Sequence, residues 1–200
     1  MVSKKLNLLI SLTVIVILTA SFRGCECKKR ELDAIDKEWV KAYSMGQLIV
    51  FKSNFNDYDT FTVNSIRDFY PECNRIERSD FQNQTISIEL LHARCSLSNK
   101  LNCKVELEIT KEDEREAAVP FLRVFDLGYS PSEFKKYSKV LPVTLSTTKK
   151  LYSSSLIFLQ NELSEGEYIK EFYWDKKDGL IRYTTSKNEV FELFSKGSVN

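Results

Sequence analysis

The 200-residue chain carries 29 basic and 28 acidic side chains, one histidine and a formal net charge of +1, a balance that excludes a whole-chain field able to gather nucleic acid or acidic substrates. Aromatic residues make up 12% of it, with nine Tyr and thirteen Phe against six Gly and four Pro. That composition suits pleated sheet with large side chains on its faces, and it excludes collagen-like and low-complexity architectures.

Met1 to Lys5 is short and basic, and Leu6 to Ala20 is an apolar run broken only by Asn7, Ser11, Thr13 and Thr19. These are the n-region and h-region of an export signal. The run is shorter than the roughly 20 apolar residues a spanning helix needs. Phe22-Arg23-Gly24-Cys25 sets Gly before Cys as a bacterial lipobox does, so cleavage is expected after residue 24, with a diacylglyceryl group on Cys25. Phe22 and Arg23 depart from that motif. Lys28, Lys29 and Arg30 also outnumber the lysines ahead of the run, which makes an uncleaved signal anchor the alternative. The expected organisation is a signal peptide over 1–24, a lipidated N-terminus with tether and helix over 25–46, one β-rich domain over 47–195, and a tail over 196–200.

Glu31 to Tyr43 reads as a helix, because Leu32, Ile35, Trp39 and Val40 share one stripe. From Gln47 the period changes to two. "QLIVFKS" and "TFTVNSI" flank the polar cluster Asn54 to Asp59 and predict a hairpin, with Phe61 and Val63 on one side and Thr60, Thr62 and Asn64 on the other. In "TISIELLHAR" Ile86, Ile88 and Leu90 oppose Ser87 and Glu89; in "CKVELEI" Val105, Leu107 and Ile109 oppose Lys104, Glu106 and Glu108. Each strand therefore has one buried and one wet face. "VPFLRVF" is a further strand, and Ser130-Pro131-Ser132-Glu133 has the chemistry of a helix start, leading to a short helix through Tyr137. "PVTLST", "SSLIFLQ", "EYIKEFYW", "LIRYTT" and "EVFELF" follow as strands, with Gly179 placed to take the positive φ of a tight turn. The fold class is mainly β: an antiparallel meander forming a sandwich or partly open barrel, with an N-terminal helix and one short internal helix.

With Cys25 lipidated, Cys27, Cys73, Cys95 and Cys103 remain for disulfides in an oxidising compartment. The candidate bridge is Cys95 with Cys103 across a hairpin loop. Parity sets the two on opposite faces, so that pairing needs the loop or a bulge to reset the phase. Cysteine spacing gives no metal site: no Cys-x-x-Cys occurs, and Cys25-Glu26-Cys27 lies at the cleavage point. Asp57 with Asp59, and Asp175 with Asp178, read as turn residues rather than calcium ligands. His92 falls on the face of Ile86, Ile88 and Leu90, where a packed residue is expected; a hydrolase using it with a nearby acid or thiol is the least favoured reading. No nucleophile elbow, phosphate loop or dinucleotide fingerprint occurs. No cofactor is expected.

"LIVFKSNFNDYDTFTV" and the C-terminal "FYWDKKDGLIRYTTSKNEVFELF" resemble segments of a loose group of small lipoproteins typical of the Bacteroidota, at Val50 to Ser53, Asp59 to Val63, Gly179 to Tyr183 and Glu189 to Leu193. The resemblance covers about a third of the chain. It implies a lipid-anchored envelope protein with an all-β domain and transfers no catalytic residue. The expected function is non-enzymatic: a membrane-tethered lipoprotein whose β-domain serves as envelope scaffold or interaction module. Its partners are the membrane, through the anchor, and an envelope protein, with no nucleic acid. A lipocalin-like carrier of an apolar ligand is the alternative.

Overall fold

A computed structural model of the chain describes residues 27–72, 81–93, 103–111, 113, 115–137, 139–159 and 168–198. The expected signal peptide and Cys25 lie outside the described residues, as do Cys73 and Cys95. The chain divides into two compact units, one of residues 1–29 and 72–82, the other of residues 30–71 and 83–200. Most of the described part of the first belongs to a two-stranded sheet, β1 (Lys28–Arg30) with β4 (Phe81–Asn83).

The second unit is one antiparallel sheet of eleven strands. In chain order they are β2 (Gln47–Ser53), β3 (Tyr58–Phe69), β5 (Thr85–His92), β6 (Lys104–Thr110), β7 (Val119–Val124) and β8 (Leu127–Tyr129), then β9 (Lys139–Thr144), β10 (Leu151–Leu159), β11 (Ile169–Asp175), β12 (Gly179–Thr185) and β13 (Val190–Ser198). Their spatial order is β8-β7-β6-β5-β3-β2-β13-β12-β11-β10-β9. The last strand thus pairs with β2, and two meanders join into one sheet. The sheet curls into an open half-barrel: the Asp126 carboxylate accepts the backbone N–H groups of Tyr168 and Ile169, the latter at 3.2 Å, and the Tyr129 hydroxyl donates to the Leu159 carbonyl at 2.7 Å.

Period-two patterning decides what fills the inside. Ile88 lies directly opposite Leu107, and Leu90 opposite Val105, all four fully buried, while Glu89 pairs with Glu106 on the outer face. Trp174, Tyr183, Phe51, Phe61, Phe158 and Phe172 are the largest fully buried side chains. Phe158 stacks on Phe172 at 4.6 Å between ring centroids, and Tyr183 on Phe191 at 4.9 Å. Each such ring contributes about 1.5–3 kcal/mol by leaving water, so the interior is filled by the elements that form it.

The short internal helix is α1 (Pro131–Tyr137). Its start is a capping box: the Ser130 backbone N–H donates to the Glu133 carboxylate at 2.9 Å, and the Ser130 hydroxyl accepts from the Glu133 N–H at 3.4 Å. Phe134 anchors it on Phe158 and Trp39.

The segment predicted as a helix over Glu31 to Tyr43 differs. Only Asp36–Trp39 is helical, as a single 3-10 turn. Ile35, expected on the apolar stripe, is 66% exposed, whereas Leu32, Trp39, Ala42 and Tyr43 are buried. Tertiary hydrogen bonds outcompete the helical ladder here. The Leu32 N–H donates to the Gln84 side chain at 2.9 Å, the Asp36 carboxylate accepts the Ala118 N–H at 2.9 Å, and the Tyr43 hydroxyl accepts the Leu180 N–H at 2.9 Å. Lys111, itself 5% exposed, pairs with Asp33 and Asp36. The segment is a strap pinned at several points along the sheet.

Gly179 has φ +74°, as its turn requires. A Cβ there would lie 2.0 Å from the Tyr43 hydroxyl oxygen, so strap and turn are fitted to one another.

Candidate functional site

The single histidine ends β5, and its register partner is Phe61. β3 begins at Tyr58, so the same alternation that buries Phe61 and Val63 also turns Asp59 inward, where it is 5% exposed. The Asp59 carboxylate accepts from His92 Nε2 on one oxygen and from the Tyr183 hydroxyl on the other. Phe61 and Phe125 flank the imidazole at 5.2 and 5.8 Å between centroids, and the His92 side chain is 14% exposed. Burial pushes the Tyr183 phenol well above its ordinary range, and the Asp59 charge and hydrogen bond push it further the same way. The trio is a closed network: one buried negative charge with a donor on each oxygen, which is what a carboxylate inside an aromatic core needs.

The outer face of the same strands is built differently. Tyr173, Arg182, Glu192, Lys52 and Tyr58 form one cross-strand row over β11, β12, β13, β2 and β3, each directly opposite the next. The two cations lean away from the central carboxylate, Arg182 lying 4.9 Å over the Tyr173 ring and Lys52 5.7 Å over the Tyr58 ring. Among the described residues neither forms an ion pair. Glu192, 3% exposed, instead accepts the Ser146 hydroxyl at 2.8 Å and the Thr147 backbone N–H at 2.9 Å. Burial alone would raise its carboxyl, but the Ser146 and Thr147 hydrogen bonds outweigh that and hold it below the ordinary glutamate value.

Ser146 and Thr147 sit at the tip of the β9–β10 hairpin. In the sheet, β12, β11 and β10 lie between that edge and β13. The tip bonds Glu192, and the β9–β10 register shifts between Tyr152 and Ser155, an irregularity of a kind that increases local twist. Leu145, fully buried, seats the tip. Between tip and row lies a cleft of about 280 Å³, lined by Lys52, Asn54, Ser146, Thr147, Arg182 and Glu192 among others. Arg182 Nε and Thr147 Oγ1 are buried atoms without a hydrogen-bond partner among the described residues.

A larger cleft of about 700 Å³ separates the outer face of β6 and β7 from α1, with Glu108, Thr110, Val119 and Phe121 on one side and Ser132 and Lys135 on the other. Lys135 bonds Glu116 across it at 2.9 Å. Among the described residues no group of three or more His, Cys, Asp or Glu side chains is arranged to hold a metal ion, and no helix is long and apolar enough to cross a membrane.

Of the residues singled out from sequence, His92 lies on the inner face, as its parity requires, and meets an acid there. Asp59, read as a turn residue, is instead a strand residue of the core, and its placement is a correction to that reading: the turn ends at Asp57, where Ser53 closes it by accepting the Phe55 and Asp57 N–H groups at 3.1 Å each. Extending the Phe61 and Val63 alternation by one step backwards would have found Asp59. Asp175 does serve as a turn residue, accepting the Lys177 and Asp178 N–H groups at 2.9 Å each. Cys103 is disulfide-bonded, and so is Cys27; Cys95, the expected partner of Cys103, lies outside the described residues. The row centred on Glu192 escaped the sequence reading, because its components come from five strands and one hairpin tip.

No family model matches the chain, and neither a curated protein nor a solved structure does.

Proposed function

We propose that this protein is a non-enzymatic, exported lipoprotein, tethered to the membrane through Cys25, whose β half-barrel acts as an interaction module of the bacterial envelope. The observation that carries this reading is the filled interior. Six large rings or ring-bearing side chains, Trp174, Tyr183, Phe51, Phe61, Phe158 and Phe172, occupy the space in which a carrier of the lipocalin kind would hold an apolar ligand. Both clefts described above lie on the outer face. His92 is committed to Asp59 within an aromatic surround, which gives it a structural duty. The disulfides at Cys27 and Cys103 suit an oxidising compartment, as export requires.

Intact-mass analysis of the protein purified from membranes, beside a Cys25→Ala variant, tests the reading. The expected mature chain lacks residues 1–24, carries acyl mass on Cys25 and co-purifies with no stoichiometric apolar molecule. A full-length unmodified chain overturns the anchoring, and a bound lipid or other apolar compound at one per chain overturns the interaction module in favour of the carrier.

A further inference from the structure

The tip of the β9–β10 hairpin folds over an outer face that has two cations and one carboxylate in register, yet the carboxylate bonds the tip and not the cations. Directly opposed charges on neighbouring strands ordinarily pair, since cross-strand pairs of opposite sign are stabilising. Here each cation is held back on a tyrosine ring, a contact that engages the flat face of a guanidinium and leaves its N–H edge to other partners. Arg182 Nε and the Thr147 hydroxyl are both donors, both buried, and both without a partner among the described residues. A buried charged donor left unmatched is costly, so the arrangement is complete only when an acceptor enters.

We infer that the cleft between the hairpin tip and the Arg182–Glu192–Lys52 row is a binding site for the oxyanion group, carboxylate or phosphate, of a small hydrophilic solute. The acceptor sits against the Arg182 guanidinium and the Thr147 side chain, both of which line the cleft, with the Lys52 ammonium, also in its lining, supplying the second positive charge. Two cations against one carboxylate leave the cleft net positive. The Glu192 charge is already met by the Ser146 hydroxyl and the Thr147 amide. At about 280 Å³ the cleft matches the lower end of small-molecule sites, the size of a headgroup or a single sugar acid and too small for an acyl chain. Asn54, Thr144 and Ser146 at the rim add side chains able to bond hydroxyl groups on the rest of the solute. The site is independent of the membrane anchor and of the filled interior.

Calorimetric titration of the full chain in detergent with inorganic phosphate, glucuronate and glycerol 3-phosphate, each against chloride at equal ionic strength, tests it. Saturable binding of at least one is expected. The strongest of the three identifies the source as the free ion, a sugar acid or a lipid headgroup. Arg182→Gln is expected to weaken that binding at least about tenfold, the effect of losing a charge-assisted hydrogen bond. Glu192→Gln, which removes the opposing charge and keeps the hydrogen-bonding shape, is expected to tighten it, an outcome that a merely unfolded variant cannot produce. Absence of saturable binding by all three, or binding unchanged in Arg182→Gln, overturns the proposal. So does weaker binding in a Glu192→Gln variant whose circular dichroism matches the parent chain.

Discussion

Two buried carboxylates stand on opposite faces of the same run of strands, and their surroundings differ in kind. Asp59, on the inner face, has each oxygen taken by one donor, His92 and Tyr183, and the rings around it leave nothing over. Glu192, on the outer face, has donors from a hairpin tip, while the two cations in its own row turn away from it. Burial of charge is solved in both places. Beside the outer carboxylate, and not beside Asp59, two buried donors, Arg182 Nε and the Thr147 hydroxyl, have no acceptor among the described residues, and that difference is what sets the proposed binding cleft apart from the trio that holds the fold together.

The contrast is open to attack by mutation, and the largest effect is expected inside. Asp59→Ala removes the acceptor for two buried donors at once and is expected to cost about 3–5 kcal/mol in urea unfolding. Glu192→Ala, whose former donors lie at the edge of an open cleft, is expected to cost only about 1 kcal/mol. The reverse order would show that the outer network, and not the inner one, secures the sheet.

Next in size is Gly179→Ala, which tests whether the strap and the sheet are one cooperative structure. The positive φ costs about 1–2 kcal/mol for a residue with a side chain, and displacing the Tyr43 ring from its contact adds about 1–3 kcal/mol. In a double-mutant cycle, Tyr43→Leu should cost less in the Gly179→Ala background than alone, because the hydroxyl oxygen and the two ring carbons nearest it all lie within 3.0 Å of the new methyl group. Equal costs would mean that the turn conformation alone carries the effect.

A third difference is one of pH. Glu192 titrates lower when folded than unfolded, so its charged form contributes stability that is fully present above the ordinary glutamate value of 4.5 and is lost as pH falls through the depressed folded value. Wild type should therefore lose its advantage over Glu192→Gln progressively below about pH 4.5. Thermal unfolding of the two proteins from pH 7 down to pH 3 checks it; a stability difference independent of pH would show that the Glu192 carboxyl is not held in its charged form by Ser146 and Thr147.

The smallest effect expected is at α1. Ser130→Ala removes the hydroxyl that caps the first turn and is expected to cost about 1 kcal/mol, with a matching fall in thermal midpoint and none in the integrity of the half-barrel.

How much of this was legible beforehand follows from the range of the interactions involved. Period-two alternation is local, so "QLIVFKS" marks β2 residue for residue, and the Ile88–Leu107 pairing follows once both strands are placed. The capping box before α1 is equally local, spanning Ser130 to Glu133. The strap failed as a helix because Leu32, Asp36 and Tyr43 bond to Gln84, Ala118 and Leu180, contacts between residues 52, 82 and 137 positions apart. β8 is only three residues long and lies too close to β7 to announce itself by period. The inner trio is half visible in the sequence: parity gives the face of His92, whereas the Asn and Asp residues around Asp59 point to a turn and mask its place in β3. The outer row needs the order β11-β12-β13-β2-β3, and nothing in one strand states which strand will lie beside it.

The difference between the two faces is tested most directly by following the Arg182 Nε–H and His92 side-chain resonances in one nuclear magnetic resonance titration with the tightest of the three oxyanions. The Arg182 resonance is expected to shift and saturate, while the His92 resonance stays in place. Movement of His92 with Arg182 silent would put the binding chemistry at the inner trio and contradict the division drawn between a sealed interior and a receptive outer face.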